Sequence, residues 1–244
     1  MDTARKWQIA GVGALLVATV VVTGAALNRP MATPSASPQD VVVPEPTSDT
    51  YLSVYEQFAD EVGGPLKLSS LGSSLTAGNG ATGYDKTWGW KLSQELGQED
   101  IDVHSFPGQA LPAIRKGGVS AVLDSNPTVV FFEPGTPNNF GQDIKLSEVA
   151  SLTKKTIASL RAGLPGVLIV GIVPSSITDT GENGLGATYS QYLAGDRENL
   201  LDADIVCDLS DSITDFDAEL KDGIHPNDLG NDIWANAIYS CLTD

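Results

Sequence analysis

The sequence predicts an α/β fold: a three-layer α/β/α sandwich around a five-stranded parallel sheet. From residue 51 onward, short apolar runs rich in β-formers alternate with longer helix-like segments, the pattern of parallel strands joined by right-handed helical crossovers. Runs such as VLIVGIV (167–173) are apolar without alternation, which marks strands buried on both faces. At 244 residues the chain is long enough for one well-packed domain plus an appendage, and too short for two ordinary domains.

The appendage comes first. Residues 9–27, IAGVGALLVATVVVTGAAL, are uncharged and apolar and follow Arg5 and Lys6; about 20 such residues span a bilayer as a helix. The basic flank predicts a cytoplasmic N-terminus with the rest of the chain outside. Small residues at Thr23, Ala25 and Ala26 also suit a signal peptidase. Residues 1–28 are therefore read as a transmembrane anchor if uncleaved, holding the protein on the cell membrane, and as a secretion signal if cleaved. Residues 29–50 are a Pro/Ser/Thr-rich linker with nothing to pack against. The folded domain is 51–244.

Within the domain a first helix is expected near Tyr51 to Val62, packed beneath the sheet. The strands are LKLSSLG (66–72), IDVHSFP (101–107), TVVFFEPG (128–135), GVLIVGIVP (166–174) and DIVCDLS (204–210). Helices are expected at 87–97, 111–124, 145–162, 188–202 and 228–242. The glycine-rich segment DTGENGLGATYS (179–190) is too long for a simple turn and is either a site-bordering or a plain surface loop. In open parallel sheets, sites form at the carboxyl ends of the strands. Those ends are Gly72 onward, Phe106 to Gln109, Glu133 to Asn139, and the segment after the fifth strand.

Charge excludes two partner classes. The chain carries 14 basic and 31 acidic residues, a net charge of -17. Setting aside residues 1–30 removes Arg5, Lys6, Arg29 and Asp2, and leaves 11 basic against 30 acidic. Nucleic acid needs a clustered positive surface, so it is not an expected partner; nor is electrostatic docking on anionic lipid. No metal or other cofactor is expected: the sequence has no His/Cys set of a transition-metal site, no P-loop and no dinucleotide fingerprint after a strand. Cys207 and Cys241 suit an oxidising compartment. If bridged, they close a loop of roughly 35 residues, a constraint of about 4 kcal/mol in the chain-entropy model; two unpaired buried thiols are the alternative, because spacing does not show that the side chains face each other.

Each strand end carries a polar group that acyl transfer needs. LSSLGSSLTAGNG (68–80) puts Ser74 in a tight turn after the first strand. A serine hydroxyl is a poor nucleophile until a base takes its proton, and the only histidines are His104 and His225. His225 lies in DGIHPNDLGND (222–232) with Asp222 three residues ahead. On a turn, that spacing lets the carboxylate accept the imidazole Nδ1 proton while Nε2 serves the serine. Pro226 with Asn227 or Asp228 then starts the last helix. For an oxyanion, Gly108 in FPGQA offers a backbone N–H with no side chain in the way. Asn138 in EPGTPNN offers an amide, and Ser74 its own N–H.

Serine, glycine, asparagine and histidine in that order, each after a strand, resemble the SGNH hydrolases, or GDSL-type esterases and lipases. The likeness covers nearly all of residues 66–242, through GSSLTAG (72–78), FPG (106–108), FFEPGTPN (131–138) and DGIHPNDLGN (222–231). It implies a flavodoxin-like sandwich, a catalytic triad of Ser74 as nucleophile, His225 as base and Asp222 as its orienter, and an oxyanion hole of Ser74, Gly108 and Asn138. Two positions depart from the family pattern. Ser73 stands where an Asp usually braces the nucleophile turn, and Pro137 where the family has Asn, so that Asn138 fits with a one-residue shift and Asn139 is its alternative. The α/β-hydrolase fold also uses Ser, acid and His in this order, but places its serine mid-sheet and its acid and histidine on separate loops.

The expected function is an extracytoplasmic serine esterase that hydrolyses carboxylic esters of small molecules, glycans or lipids through an acyl-Ser74 intermediate. An acyltransferase using the same acyl-enzyme and a non-catalytic surface-binding module are the alternatives. His104, inside a strand, is read as structural. Trp88 and Trp90 open a helix near the site, where one fills core. Glu133 closes the third strand as a carboxylate with no partner identifiable from sequence.

Overall fold

The computed structural model describes residues 52–179 and 181–244. The segments at 1–28 and 29–50, with the apolar run 9–27, lie outside the described residues. Among those described, no helix is long and apolar enough to cross a membrane.

Five strands, β1 (Leu68–Gly72), β2 (Ile101–Ser105), β3 (Val129–Phe132), β4 (Leu168–Val173) and β5 (Ile205–Asp208), form one sheet in the order β2-β1-β3-β4-β5. Every pairing is parallel. This is the flavodoxin-like order, with its switch point between β1 and β3. The helices are α1 (Val54–Val62), α2 (Trp88–Glu95), α3 (Leu111–Ser125), α4 (Thr136–Gly141), α5 (Leu146–Gly163), α6 (Tyr189–Asn199), α7 (Phe216–Glu219) and α8 (Asp228–Thr243).

The sheet is buried on both faces because its strands are apolar at successive positions, and the pleat sends alternate side chains to opposite layers. Val129 and Phe131 of β3, with Leu168, Val170 and Ile172 of β4, pack against Tyr55, Leu92, Trp88, Trp234 and Ile238 from α1, α2 and α8. Val130 and Phe132, with Ile169 and Val173, pack against Ile114, Ile157, Leu160 and Tyr192 from α3, α5 and α6. In the first layer the Trp88 ring stands 6.2 Å from Phe131 and 6.4 Å from Trp234. Trp88 is thus the tryptophan that fills core, while Trp90 is half-buried.

Helix starts follow their capping chemistry. Ser53 and Glu56 form a reciprocal capping box on α1, as do Thr188 and Gln191 on α6. Thr87 caps α2, and Asn227 caps α8 by accepting from the N–H groups of Leu229 and Gly230. Every expected strand and helix is present, with the strands trimmed at their ends. The segment read as one helix over 188–202 is α6 followed by a 3-10 turn, Leu200–Asp202. The short helices α4 and α7 and a 3-10 turn at Tyr84–Lys86 were not legible, since a turn or two of helix carries no periodicity. Cys207 on β5 and Cys241 on α8 form a disulfide, joining the edge strand to the last helix.

Candidate active site

Strand β1 ends at Gly72, and the chain turns sharply into Ser73 and Ser74. The turn is held by backbone bonds from Ala77 N–H to Ser73 O, Gly78 N–H to Leu75 O and Asn79 N–H to Ser74 O, at 3.0–3.2 Å. The indole N–H of Trp88 also donates to Leu75 O at 2.9 Å, anchoring the turn to the core. Glycine is required at 72 by space: a Cβ there would sit 2.1 Å from Thr76 Oγ1 and 2.8 Å from Glu133 Oε2. Of the hydroxyls in this stretch, those of Ser69 and Ser70 are sealed in the sheet. Those of Ser73 and Thr76 are bonded to Glu133. Ser74, 7% exposed, bonds to neither the sheet nor Glu133.

The second half of the site is the loop between α7 and α8. Lys221 N–H donates to His225 O at 2.8 Å and Asn227 N–H to Glu219 O at 2.9 Å, making a tight ring around Asp222 to Pro226. The buried Asn231 side chain donates to Pro226 O and Asn227 O and accepts from Trp88 N–H. The loop is thereby tied to the helix that braces the turn at Ser74. These supports bring Ser74 Oγ within 2.8 Å of His225 Nε2, although the residues are 151 positions apart. His225 Nδ1 lies 2.8 Å from Asp222 Oδ2 and 3.1 Å from Oδ1.

Asp222 also accepts the backbone N–H of His225 at 2.9 Å and of Ile224 at 3.2 Å. Partial burial pushes its pKa up, but the hydrogen bonds and charge from His225, with the Ile224 N–H, outweigh it and hold the carboxyl below its ordinary range. It is therefore ionised at neutral pH. An ionised acid on Nδ1 can fix the tautomer whose Nε2 lone pair faces the serine, and an imidazolium formed there would be stabilised by it.

The expected oxyanion donors take different positions. Gly108 has φ +73° and nothing within 4 Å of where a Cβ would be, so the space above its backbone is open. Its carbonyl is held by Gln142 Nε2 at 2.9 Å. Neither Gly108 N–H nor Ser74 N–H donates to another described residue. Of the two asparagines on α4, Asn139 is 0% exposed. Its amide donates to Pro134 O and its Oδ1 accepts from Leu111 N–H, both at 2.9 Å. Asn138 is half-buried and its side chain bonds to no other described residue.

Glu133 is a buried carboxylate, whose partners the sequence did not identify. It has partners, all supplied by the fold. One carboxylate oxygen accepts Ser73 N–H at 2.9 Å and Ser73 Oγ–H at 2.7 Å; the other accepts Gly135 N–H at 2.6 Å and Thr136 N–H at 3.2 Å. The available signal was an acid closing an apolar strand just before PGTP, beside a strand that ends in serines. His104 lies on β2 with Nε2 3.1 Å from Asp102 Oδ2 and 3.3 Å from Ser125 Oγ, away from the Ser74–His225 pair. The glycine-rich loop is held just before its start, where Thr178 N–H donates to Gly223 O, and in its middle, where Asn183 Nδ2 donates to Phe140 O and Gly184 N–H to Asp143 Oδ1.

A polar cleft of about 580 Å³ opens beside His225 and Asp222, lined by residues 77–81 and by Tyr84, Thr87 and Lys221. A larger groove lies at the opposite, N-terminal ends of β1 and β2. Among the described residues no group of His, Cys, Asp and Glu side chains is placed to hold a metal ion.

Comparison with known proteins agrees with this architecture. No curated protein sequence matches the chain. Among solved structures, the acetyl xylan esterase AlAXEase superposes with a TM-score of 0.60 at 18% identity, over 72% of this chain and 100% of that one. A family 3 carbohydrate esterase of Clostridium thermocellum gives 0.60 at 19%, over 72% and 94%. The esterase EstA of a Pseudoalteromonas species gives 0.58 at 15%, over 72% and 95%. At these identities the likeness establishes the shared fold. The model of the GDSL-like lipase/acylhydrolase family matches residues 70–233, two thirds of the chain, including Ser74, Gly108, Asn138, Asp222 and His225. The chain belongs to the GDSL-like lipase/acylhydrolase family and is an ester-hydrolysing enzyme of the SGNH type.

Proposed function

We propose that the protein is an extracytoplasmic serine esterase that cleaves acyl groups from hydroxyl-rich substrates through an acyl-Ser74 intermediate. The observation that carries the reading is the unbroken chain Ser74 Oγ, His225 Nε2, His225 Nδ1, Asp222 Oδ2, with 2.8 Å at each of its two hydrogen bonds. Ser74 Oγ attacks the ester carbonyl carbon as its proton passes to His225 Nε2. The negative charge that develops on the carbonyl oxygen is met by the N–H groups of Ser74 and Gly108 and the amide of Asn138. Collapse breaks the C–O bond, and the leaving alkoxide takes the proton from His225. Water, deprotonated by the same nitrogen, then attacks the acyl-enzyme and returns Ser74 to its free form.

The substrate reading rests on the cleft beside His225. Small residues of 77–83, Asn79, Thr87, Lys221 and the half-exposed Tyr84 line it, which suits a polar alcohol such as a sugar better than a lipid chain. The acetyl xylan and carbohydrate esterases that share the fold point the same way. Export is inferred from residues 9–27 and the disulfide; recovery of the full-length protein in the cytosolic fraction would refute it.

The deciding experiment compares wild type with Ser74→Ala on a short-chain aryl ester and on an acetylated oligosaccharide. Wild type should release acid from both and Ser74→Ala from neither. Equal turnover by the two proteins sinks the catalytic reading. Preference for long-chain acyl esters over the acetylated sugar sinks the substrate reading alone.

A further inference from the structure

We infer that Glu133 is a positioning residue, a buried carboxylate that sets the geometry of the nucleophile turn relative to the helix carrying Asn138. The inference rests on Ser74 being the nucleophile. Glu133 is 1% exposed and, among the described residues, forms no ion pair with a Lys, Arg or His. A buried carboxylate is costly unless its oxygens are fully hydrogen-bonded, and here they are, by two different segments. Oε2 accepts Ser73 N–H and Ser73 Oγ–H, with Thr76 Oγ1 further out at 3.4 Å; Oε1 accepts Gly135 N–H and Thr136 N–H. Bonds to an ionised acceptor are shorter and stronger than neutral ones, so one side chain clamps the residue before Ser74 to the first turn of α4.

Gly72 makes the clamp possible. Leu71 pairs with Phe132 across β1 and β3, which sets Gly72 beside Glu133. A Cβ on Gly72 would fall 2.8 Å from both Glu133 Oε2 and Glu133 O, so the carboxylate occupies the space the glycine leaves empty. Asn138 follows Thr136 by two residues on the same helix. The distance between the attacking hydroxyl and a side-chain oxyanion donor is therefore set through Glu133, although it touches neither the substrate nor Ser74 Oγ.

The test uses the full-length protein and the isosteric Glu133→Gln. An amide oxygen can serve one set of donors, but the NH2 must then face the other, so the clamp opens at one end. We expect kcat on an aryl acetate to fall by roughly 10- to 100-fold, the scale of a misplacement near 1 Å, with KM nearly unchanged. Phosphonylation of Ser74 by a p-nitrophenyl alkylphosphonate should slow by a similar factor. Ser73→Ala should lower kcat less, and the loss in Ser73→Ala/Glu133→Gln should fall short of the product of the two single losses, because both changes act on the Ser73–Glu133 contact. Wild-type kcat in Glu133→Gln overturns the inference. So does a loss of rate that merely tracks the folded fraction, with the folded enzyme turning over normally. Should Glu133→Gln not fold, Ser73→Ala decides, and an unchanged kcat there is the overturning result. Turnover persisting in Ser74→Ala overturns this inference together with the assignment of the nucleophile; a dead Ser74→Ala beside a fully active Glu133→Gln overturns the positioning role only.

Discussion

Asp196 on α6 should make the protein's stability fall as pH rises from acid to neutral. Its carboxyl is 1% exposed; Thr136 Oγ1 donates to Oδ2 at 2.5 Å, while Oδ1 has no partner. Its neighbour Arg197 is turned away onto Asp208 and Ser210. Burial, reinforced by the Glu133 charge, outweighs the Thr136 hydrogen bond and Arg197, and pushes the pKa from 3.8 to about 7. Between those two values the unfolded chain has lost a proton that the native state keeps, so the native state loses ground as pH rises. At 1.36 kcal/mol per pKa unit, the loss between pH 5 and pH 8 is roughly 2–3 kcal/mol. Asp196→Asn cannot ionise and keeps an acceptor for Thr136, so it should escape that loss. Urea unfolding of both proteins at pH 5 and pH 8 gives the comparison, because every other titration cancels in the difference. The variant should gain roughly 2–3 kcal/mol on wild type over this interval; a gap that is the same at both pH values refutes the argument.

Other changes separate the roles of neighbouring groups. Asp222→Asn should leave the fold intact and lower kcat by up to roughly 10⁴-fold at neutral pH, as in other triads whose orienting acid is neutralised; a kinetic assay with circular dichroism as control tests it, and a near-normal kcat counts against the triad. Asn138→Ala should lower kcat by roughly 10²- to 10³-fold at constant stability. Asn139→Ala should instead cost about 1–3 kcal/mol by stranding Leu111 N–H and Pro134 O, which thermal unfolding would register; the reverse pattern would exchange the two assignments. Replacing Cys207 and Cys241 by Ser opens a loop of sequence separation 34 and should lower unfolding free energy by about 4 kcal/mol in the chain-entropy model; denaturation of the double variant showing no loss would deny the bridge a stabilising role.

Much of the site was legible because its chemistry is local in sequence. Asp222 and His225 share one tight loop, so their spacing alone suggests the carboxylate–imidazole pair, and the sharp turn after Gly72 singles out a short run of hydroxyls. The choice between Asn138 and Asn139 was not legible: adjacent positions on a helix face different ways, and only the packing of α4 against the start of α3 shows that Asn139 is bonded on both sides. The part played by Glu133 was hidden for the same reason, since its partners are 60 residues away in the chain at Ser73 and at the start of a helix too short to announce itself.

The sequence by itself determined the layered α/β architecture, the order of its strands and helices along the chain, and the residue types available for acyl transfer, because period, capping and turn chemistry act over a few residues. Tertiary structure decided the rest. It sealed Ser69 and Ser70 into the sheet and bonded Ser73 and Thr76 to Glu133, leaving Ser74, the hydroxyl the sequence already pointed to, without those partners. It also closed the 2.8 Å gap to His225 and supplied a buried carboxylate with donors in place of a counter-ion. Those outcomes depend on which strands lie side by side, and the β1–β3 pairing that makes Gly72 and Glu133 neighbours is a property of the folded sheet rather than of any stretch of chain.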